Sequence, residues 1–434
     1  ISLLKDGAAT AIFGNRAANG VLMVSTKRGH NGPLMVNFSA QFGFQQAMRL
    51  PEFLGSYDYA RLYNEGLAND GQPALYTAAD LEAYRTGSDP LFYPDVDWHD
   101  QVLRDYAPAS NYDLNFSGGN ETVRYFVLLS VLNSGGLYIN TGDLSEFSKN
   151  FDYTRYNFRG NMDLKVSNRL SGTIFVGGSV ENKVIPGANE STAPEFNLLA
   201  SVPPNAFPVY VKDNLFGGNQ LYTNPLGDIL QRGYYSWNAR NSQLALKLTE
   251  QLDMITPGLS ISAAVAFNGF FKSYSIKTRE YARYSVSKDE SGTPVFMKIG
   301  EETSLSGDES RSTFWRNTVI QSFLNYNRQF DIHHIDAMVM YNYDDLNVTG
   351  SNLPYRNIGL AGRFTYSMSD KYIGEFSFGY NGSENFPKGK RFGFFPAVSL
   401  GWIISNEDFL KMNDAFNYLK IKGSYGLTGN NDIG

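Results

Sequence analysis

The chain has 434 residues, 42% of them hydrophobic and 15% aromatic, with 42 Gly and only 18% charged residues. That mixture is poorer in charge than soluble domains usually are and suits strands and turns. A net charge of −6 without a Lys/Arg block gives counterion release at a phosphate backbone little to work with, so nucleic acid is excluded as a partner. The absence of Cys excludes disulfide frameworks, zinc ribbons and thiol catalysis.

The chain starts at Ile1 without a charged, apolar leader and stops at Gly434 within a strand-like pattern, so an internal fragment is expected. No run approaches the ~18 consecutive apolar residues of a membrane helix; a membrane-spanning reading therefore requires a barrel.

The first thirty residues do not alternate: LKDGAATAIFGNRAANGVLMVSTKRG predicts a short helix over Leu3 to Ile12, a turn at Gly14 to Asn19 and a β-run from Gly20 to Lys27. From residue 34 the period becomes two. Leu34, Val36, Phe38, Ala40, Phe42 and Phe44 fall on one side, and Asn37, Ser39, Gln41, Gly43 and Gln45 on the other, with Met35 out of step. In 155–166 the apolar set Tyr156, Phe158, Met162, Leu164 and Val166 opposes Arg155, Arg159, Asp163 and Lys165, charges that lipid does not tolerate but a polar lumen does.

Similar segments at 110–118, 121–133, 168–182, 240–253, 258–270, 313–330, 334–347, 357–368, 371–383, 395–404 and 417–428 bring the expected total to about thirteen strands. Two are less clean: 121–133 carries Phe126, Leu128 and Leu132 on its inner face, and 313–330 alternates poorly. Short links near 118–121, 167–169, 256–258, 331–334 and 369–371 alternate with long ones near 46–109, 134–154, 183–239, 271–312, 348–356 and 384–394. Membrane barrels have this asymmetry, with short turns on one side and long loops on the other. Helical spacing appears within the long links at 56–68, 78–86 and 192–200.

The opening run resembles the end of the plug domain in SusC/RagA-like TonB-dependent outer-membrane transporters. Lys5, Asp6, Ala8, Gly14, Arg16, Asn19, Gly20, Thr26, Lys27 and Gly29 fall on that pattern, and Phe13 stands where Tyr is usual. YARLYNE at 59–65, PDVDWHDQVLR at 94–104, LNFSGGNETVRYFV at 114–127, DKYIGEFSFGYNGSENF at 370–386, FGFFPAVSLGWIISNEDFL at 392–410 and YLKIKGSYGLTGNN at 418–431 follow the same family in order, while 271–356 matches loosely.

The fold class expected is all-β: an incomplete antiparallel transmembrane β-barrel with the C-terminal part of a plug at 1–32, part of the wall at 33–434 and a few loop helices. Family members close about twenty-two strands around a plugged lumen. The resemblance implies TonB-dependent import of oligosaccharides across the bacterial outer membrane beneath a SusD-like surface lipoprotein, with TonB engaged through a region outside this chain. Neither enzymatic activity nor a cofactor is implied. Oligopeptide or metal-chelate uptake by the same architecture, and a passive or adhesive barrel, are the alternatives.

Sugar cargo calls for aromatic faces with amides and carboxylates beside them. The long links supply one such cluster in Tyr93, Asp95, Asp97 and Trp98 and another in Tyr222, Asn224, Tyr234, Tyr235 and Trp237; loop packing or an interfacial aromatic girdle is the plainer account of each. Lys5, Asp6, Arg16 and Asn19 are placed to hold the plug against the wall, with Gly14 and Gly20 where side chains would block the backbone. His333 and His334 beside Asp331 and Asp336 suggest a metal site less readily than a tight turn.

Overall fold

The computed structural model describes residues 1–4, 11–13, 20–139, 151–187, 199–351, 353–410 and 417–430. Its main body is one antiparallel sheet of thirteen strands in which every strand pairs with its neighbour in the sequence. In chain order these are β1 (Gly32–Gln45), β2 (Ala107–Gly119), β3 (Val123–Gly135), β4 (Asp152–Lys165), β5 (Leu170–Pro186), β6 (Gly233–Gln251), β7 (Leu259–Thr278), β8 (Ser306–Phe330), β9 (His333–Val348), β10 (Tyr355–Met368), β11 (Tyr372–Ser383), β12 (Phe392–Ile403) and β13 (Lys420–Gly426). All thirteen expected segments are strands. β1 and β13 are the two edges, each paired on one side among the described residues.

The register shows why the pattern holds. Directly opposed residues share a face, and the apolar sets stay in phase through every hairpin. Phe38 opposes Leu114, which opposes Leu129, which opposes Phe158; Val176 opposes Leu244 and then Phe267; Phe364 opposes Phe376, then Val398, then Tyr425. These side chains are largely exposed in the isolated chain, Phe38 at 67%.

Aromatic residues bound this belt. Tyr372 stacks on Trp402 at one end (ring centroids 6.5 Å apart) and Tyr380 on Phe392 at the other (5.1 Å). The ten residue steps from Phe392 to Trp402 give ~33 Å along the strand, or ~25 Å after a tilt of ~40°, the height of an outer-membrane hydrocarbon band.

The opposite face is polar and satisfies itself. Arg363 pairs with Asp336 at 3.0 Å, Asn327 donates to the same carboxylate at 2.9 Å, Thr365 donates to Glu375 at 3.2 Å and Gln321 to Asn342 at 2.9 Å.

The start of the chain lies against this polar face. Ser2–Leu4 pairs antiparallel with Val21–Met23, and a 3-10 turn at Ala11–Phe13 packs on β10, β11 and β12. Further along, Asn161 Nδ2 donates to the Lys27 carbonyl at 2.5 Å and to Thr26 Oγ1 at 3.3 Å, while Arg28 pairs with Asp163 at 3.2 Å. Gly29 passes so close to β3 that a Cβ there would lie 2.3 Å from the Tyr125 nitrogen. Phe126, an inner-face exception in the sequence pattern, is 7% exposed and opposes Asn161 beneath this strap.

The helix expected over Leu3 to Ile12 is a correction: Leu3 and Leu4 are in a strand, because pairing with Val21–Met23 satisfies their backbone, and Ala11–Phe13 is a 3-10 turn. Gly20 has φ 82°, and a Cβ on it would meet the Leu4 carbonyl at 3.0 Å, so that position requires glycine. Lys5, Asp6, Gly14, Arg16 and Asn19 lie outside the described residues.

Strand ends at the short turns fall within about three residues of expectation, but several at the long links run further. β5 and β6 extend to Pro186 and from Gly233, and β7 and β8 to Thr278 and from Ser306. Beyond the apolar band the outer face has no reason to be greasy, so alternation ends before the hydrogen-bond ladder does. Among the described residues no helix is long and apolar enough to cross a membrane.

Candidate functional site

Three long links fold together above the wall, and Tyr138 from a fourth packs among them. They contribute helices α1 (Ser56–Asn69), α2 (Ala78–Thr86), α3 (Trp98–Val102) and α4 (Pro225–Gln231), and two ribbons, Tyr210–Lys212 with Leu215–Phe216 and Arg283–Lys288 with Pro294–Ile299. Their shared core includes Trp98, Val102, Tyr138, Phe207, Phe216, Leu230 and Tyr281. The helices expected at 56–68 and 78–86 are present; of 192–200, only 199 and 200 are described, and both are helical.

Most residues of the first predicted cluster also hold this assembly in shape. Asp95 Oδ1 accepts from the Ser56 N–H at 2.8 Å and so caps α1 from a distant part of the link. Asp97 caps α3, accepting from the N–H groups of His99 and Asp100 at 2.8 and 3.3 Å. Tyr93 donates to Asp80 at 3.0 Å, and Asp80 closes a capping box with Thr77 at the start of α2. Tyr93 also ends a file of edge and stacked rings through Tyr59, Tyr63, Tyr76 and Tyr84; burial pushes the Tyr84 hydroxyl up to about 12. Trp98 is 3% exposed and meets Phe207 edge-on at 5.6 Å, and its indole N–H is buried without a hydrogen-bond partner.

The second cluster divides. Asn224, fully buried, caps α4 by accepting from the Gly227 N–H at 3.0 Å and donates to the carbonyls of Val209 and Gly217, each at 2.9 Å. Tyr222 turns toward the first cluster: Asp95, Asp97, Trp98 and Tyr222 line one cavity of about 470 Å³, together with Tyr59 and Pro204. That volume lies within the range that holds small ligands. Tyr235 and Trp237 lie on the lumenal face of β6, while Tyr234, one residue out of phase, lies on the other face.

The wall beneath carries a patch that composition could not locate. Tyr153, Lys183, Trp237, Tyr274 and Arg311 oppose one another in sequence across five strands, and Arg155, Glu181, Ala239, Lys272 and Thr313 form the next row. Glu181 accepts from Tyr153 at 3.0 Å and pairs with Arg155 at 3.5 Å; Lys272 sits 5.1 Å from the centre of the Trp237 ring and Lys183 5.0 Å from that of Phe151. The available signal was charged and aromatic residues on the polar face of strands, but grouping them required register across links of up to 46 residues.

Near the other rim, Glu407 accepts from Lys371 Nζ at 2.8 Å, the Tyr372 hydroxyl at 2.7 Å and the Trp402 indole at 3.1 Å. These donors, the Lys371 ammonium first, hold its carboxyl down to about 2. His333 bonds the Tyr366 hydroxyl at 2.7 Å and His334 faces Asn327 at 3.3 Å, and no cluster of three or more potential metal-ligating His or acidic residues occurs among the described residues.

An in-phase greasy belt, a polar inner face and a strap bound to that face define a plugged transmembrane β-barrel wall of the outer-membrane kind. The sequence comparisons specify it further. No family model matches, but the chain is 25% identical to TonB-dependent receptor P3 of Formosa agariphila, with 100% of this chain aligned to 42% of the relative. It is 24% identical to TonB-dependent receptor SusC of Bacteroides thetaiotaomicron, with 100% aligned to 43%.

The fold matches the RagAB peptide transporter with a TM-score of 0.74 at 18% identity, covering 100% of this chain and 51% of that one; a siderophore receptor, PirA of Acinetobacter baumannii, gives 0.50 at 11%, with 98% and 47% covered. The chain is thus similar in sequence to TonB-dependent receptors, SusC among them, and in fold to the RagAB transporter, and the proteins it resembles are receptors and transporters, not enzymes. It spans about two fifths of the length of the curated relatives it matches.

Proposed function

We propose that this chain supplies part of the wall and the end of the plug of a TonB-dependent importer that carries oligosaccharides across the outer membrane. The observation that carries the reading is the strap at Thr26–Gly29, hydrogen-bonded to the lumenal residues Asn161 and Asp163. A chain bound along the lumenal face obstructs passive flow, and an energised importer must hold a plug that can be displaced. The resemblance to SusC along the whole chain supports glycan cargo and a SusD-like lipoprotein lid over the external mouth.

The cavity bordered by Asp95, Asp97, Trp98 and Tyr222 is the proposed outer contact for cargo, with Trp98 presenting an unpartnered donor at its wall. Trp237 continues the aromatic surface onto the lumenal face of β6, with Tyr93 and the fully buried Tyr235 and Asn224 supporting it from behind, while Tyr234 on the other face does not reach it. Lys5, Asp6, Arg16 and Asn19 are proposed to anchor the plug, with Gly14 and Gly20 shaping its turns.

Peptide uptake is the second reading, favoured by the fold match to a transporter described as carrying peptides. The test is uptake of labelled oligosaccharides and oligopeptides by cells with and without TonB. Glycan entry that stops without TonB is expected; uptake that persists without TonB contradicts energised import.

A further inference from the structure

We propose that the lumenal face at the external mouth binds an acidic oligosaccharide, with its carboxylates held by Lys183 and Lys272 and its sugar faces set against Trp237 and Tyr274. This rests on the import reading and names the cargo class within it. The patch is defined by register: Lys183, Trp237 and Tyr274 are directly opposed across β5, β6 and β7, and Lys272 lies one row below Tyr274 on the same face. Opposed residues are ~5 Å apart, close to the length of one pyranose ring, so adjacent strands present successive contacts to an extended glycan.

The local charge is opposite to that of the whole. Within the two rows, Arg155, Lys183, Lys272 and Arg311 outnumber the single carboxylate Glu181, whereas the chain as a whole carries −6. Glu181 is already engaged by Arg155 and Tyr153. Burial first and the nearby Lys272 charge second disfavour the Lys183 ammonium, and an anion seated beside these two cations offsets that charge. Lys272 over the Trp237 ring and Tyr153 beside that ring at 6.3 Å keep the aromatic surface and the cations adjacent. An anionic group attached to a ring with an apolar face matches this arrangement, and a neutral sugar uses half of it.

The test is binding of hexagalacturonate, maltohexaose and hexaglutamate to the intact transporter in detergent, with wild type and Lys183→Gln/Lys272→Gln compared. Resistance of both proteins to SDS without heating checks that the barrel is intact. The proposal expects hexagalacturonate to bind at least about tenfold more tightly than the other two probes, and the double variant to lose about tenfold for that probe while maltohexaose is unchanged. Equal binding of acidic and neutral sugars, equal binding of hexaglutamate, or an unaffected double variant overturns it. TonB-dependent uptake of a neutral glycan alongside any of these results leaves the import reading standing and removes the anionic site alone.

Discussion

Tyr281→Phe removes one hydroxyl from a buried polar cluster in the loop assembly above the wall. That hydroxyl lies 2.8 Å from Asp228 Oδ1 and 3.1 Å from the Asn224 carbonyl, while the other carboxylate oxygen of Asp228 accepts from Thr223 at 2.7 Å and pairs with Arg232 at 3.4 Å. The ring stays, so its edge contact with Phe216 at 5.8 Å is retained and no cavity forms. What is lost is a hydrogen bond to a buried carboxylate, worth about 2 kcal/mol; Arg232 is partly solvated and at 3.4 Å offsets little.

Because α4 and the 281–284 segment are held together through this contact, about 2 kcal/mol corresponds to a roughly 30-fold larger opening constant. Hydrogen exchange of the intact protein in detergent reads this directly, as roughly 30-fold faster exchange of amides in 225–232 and unchanged exchange in β3 to β5. Exchange in 225–232 equal to wild type refutes the assigned role of the Asp228–Tyr281 contact.

Other perturbations distinguish the two rims and the two faces. Burial pushes the Asp228 carboxyl up from its ordinary 3.8, so its folded form holds a proton more readily than its unfolded form. Protection of 225–232 is therefore expected to rise as pH falls from neutral through that raised value toward 3.8, and Asp228→Asn to abolish the change in exchange measurements. Glu407 has the opposite sign: its contribution is complete above about 4.5 and is lost as pH falls toward about 2. Glu407→Gln should remove that acid sensitivity at the 404–410 link, read by exchange at the same sites.

Leu246→Arg places a cation near mid-band on the outer face and should cost about 2–4 kcal/mol in refolding into lipid. Lys247→Gln, one residue along and lumenal, should cost under about 1 kcal/mol, and equal costs would contradict the facing.

The wall could be read from the sequence because one rule, apolar every second residue, is imposed by lipid on every strand. Phe38, Phe158 and Leu244 are greasy wherever the chain's other contacts fall. Above the band that rule lapses, which is why the Tyr234–Ala239 stretch of β6 reads as loop although its ladder continues. The site was visible as residue types but not as an arrangement. Asp95 and Asp97 suit sugar hydroxyls by residue type, and both also cap helices, α1 being reached across 39 residues. The proximity of Lys183 and Lys272 depends on the register of β5, β6 and β7, which no local pattern encodes.

The claim on which the rest depends is that alternate residues face lipid and lumen. The chain has no Cys, so single Cys substitutions from Gln243 to Leu248 can each carry a spin label in the intact protein reconstituted in vesicles. Collision with oxygen should be high at 244, 246 and 248, and collision with a water-soluble nickel chelate higher at 243, 245 and 247, a strict period of two. Accessibility to both reagents that is uniformly low along the six positions, as in a water-soluble core, would contradict the account.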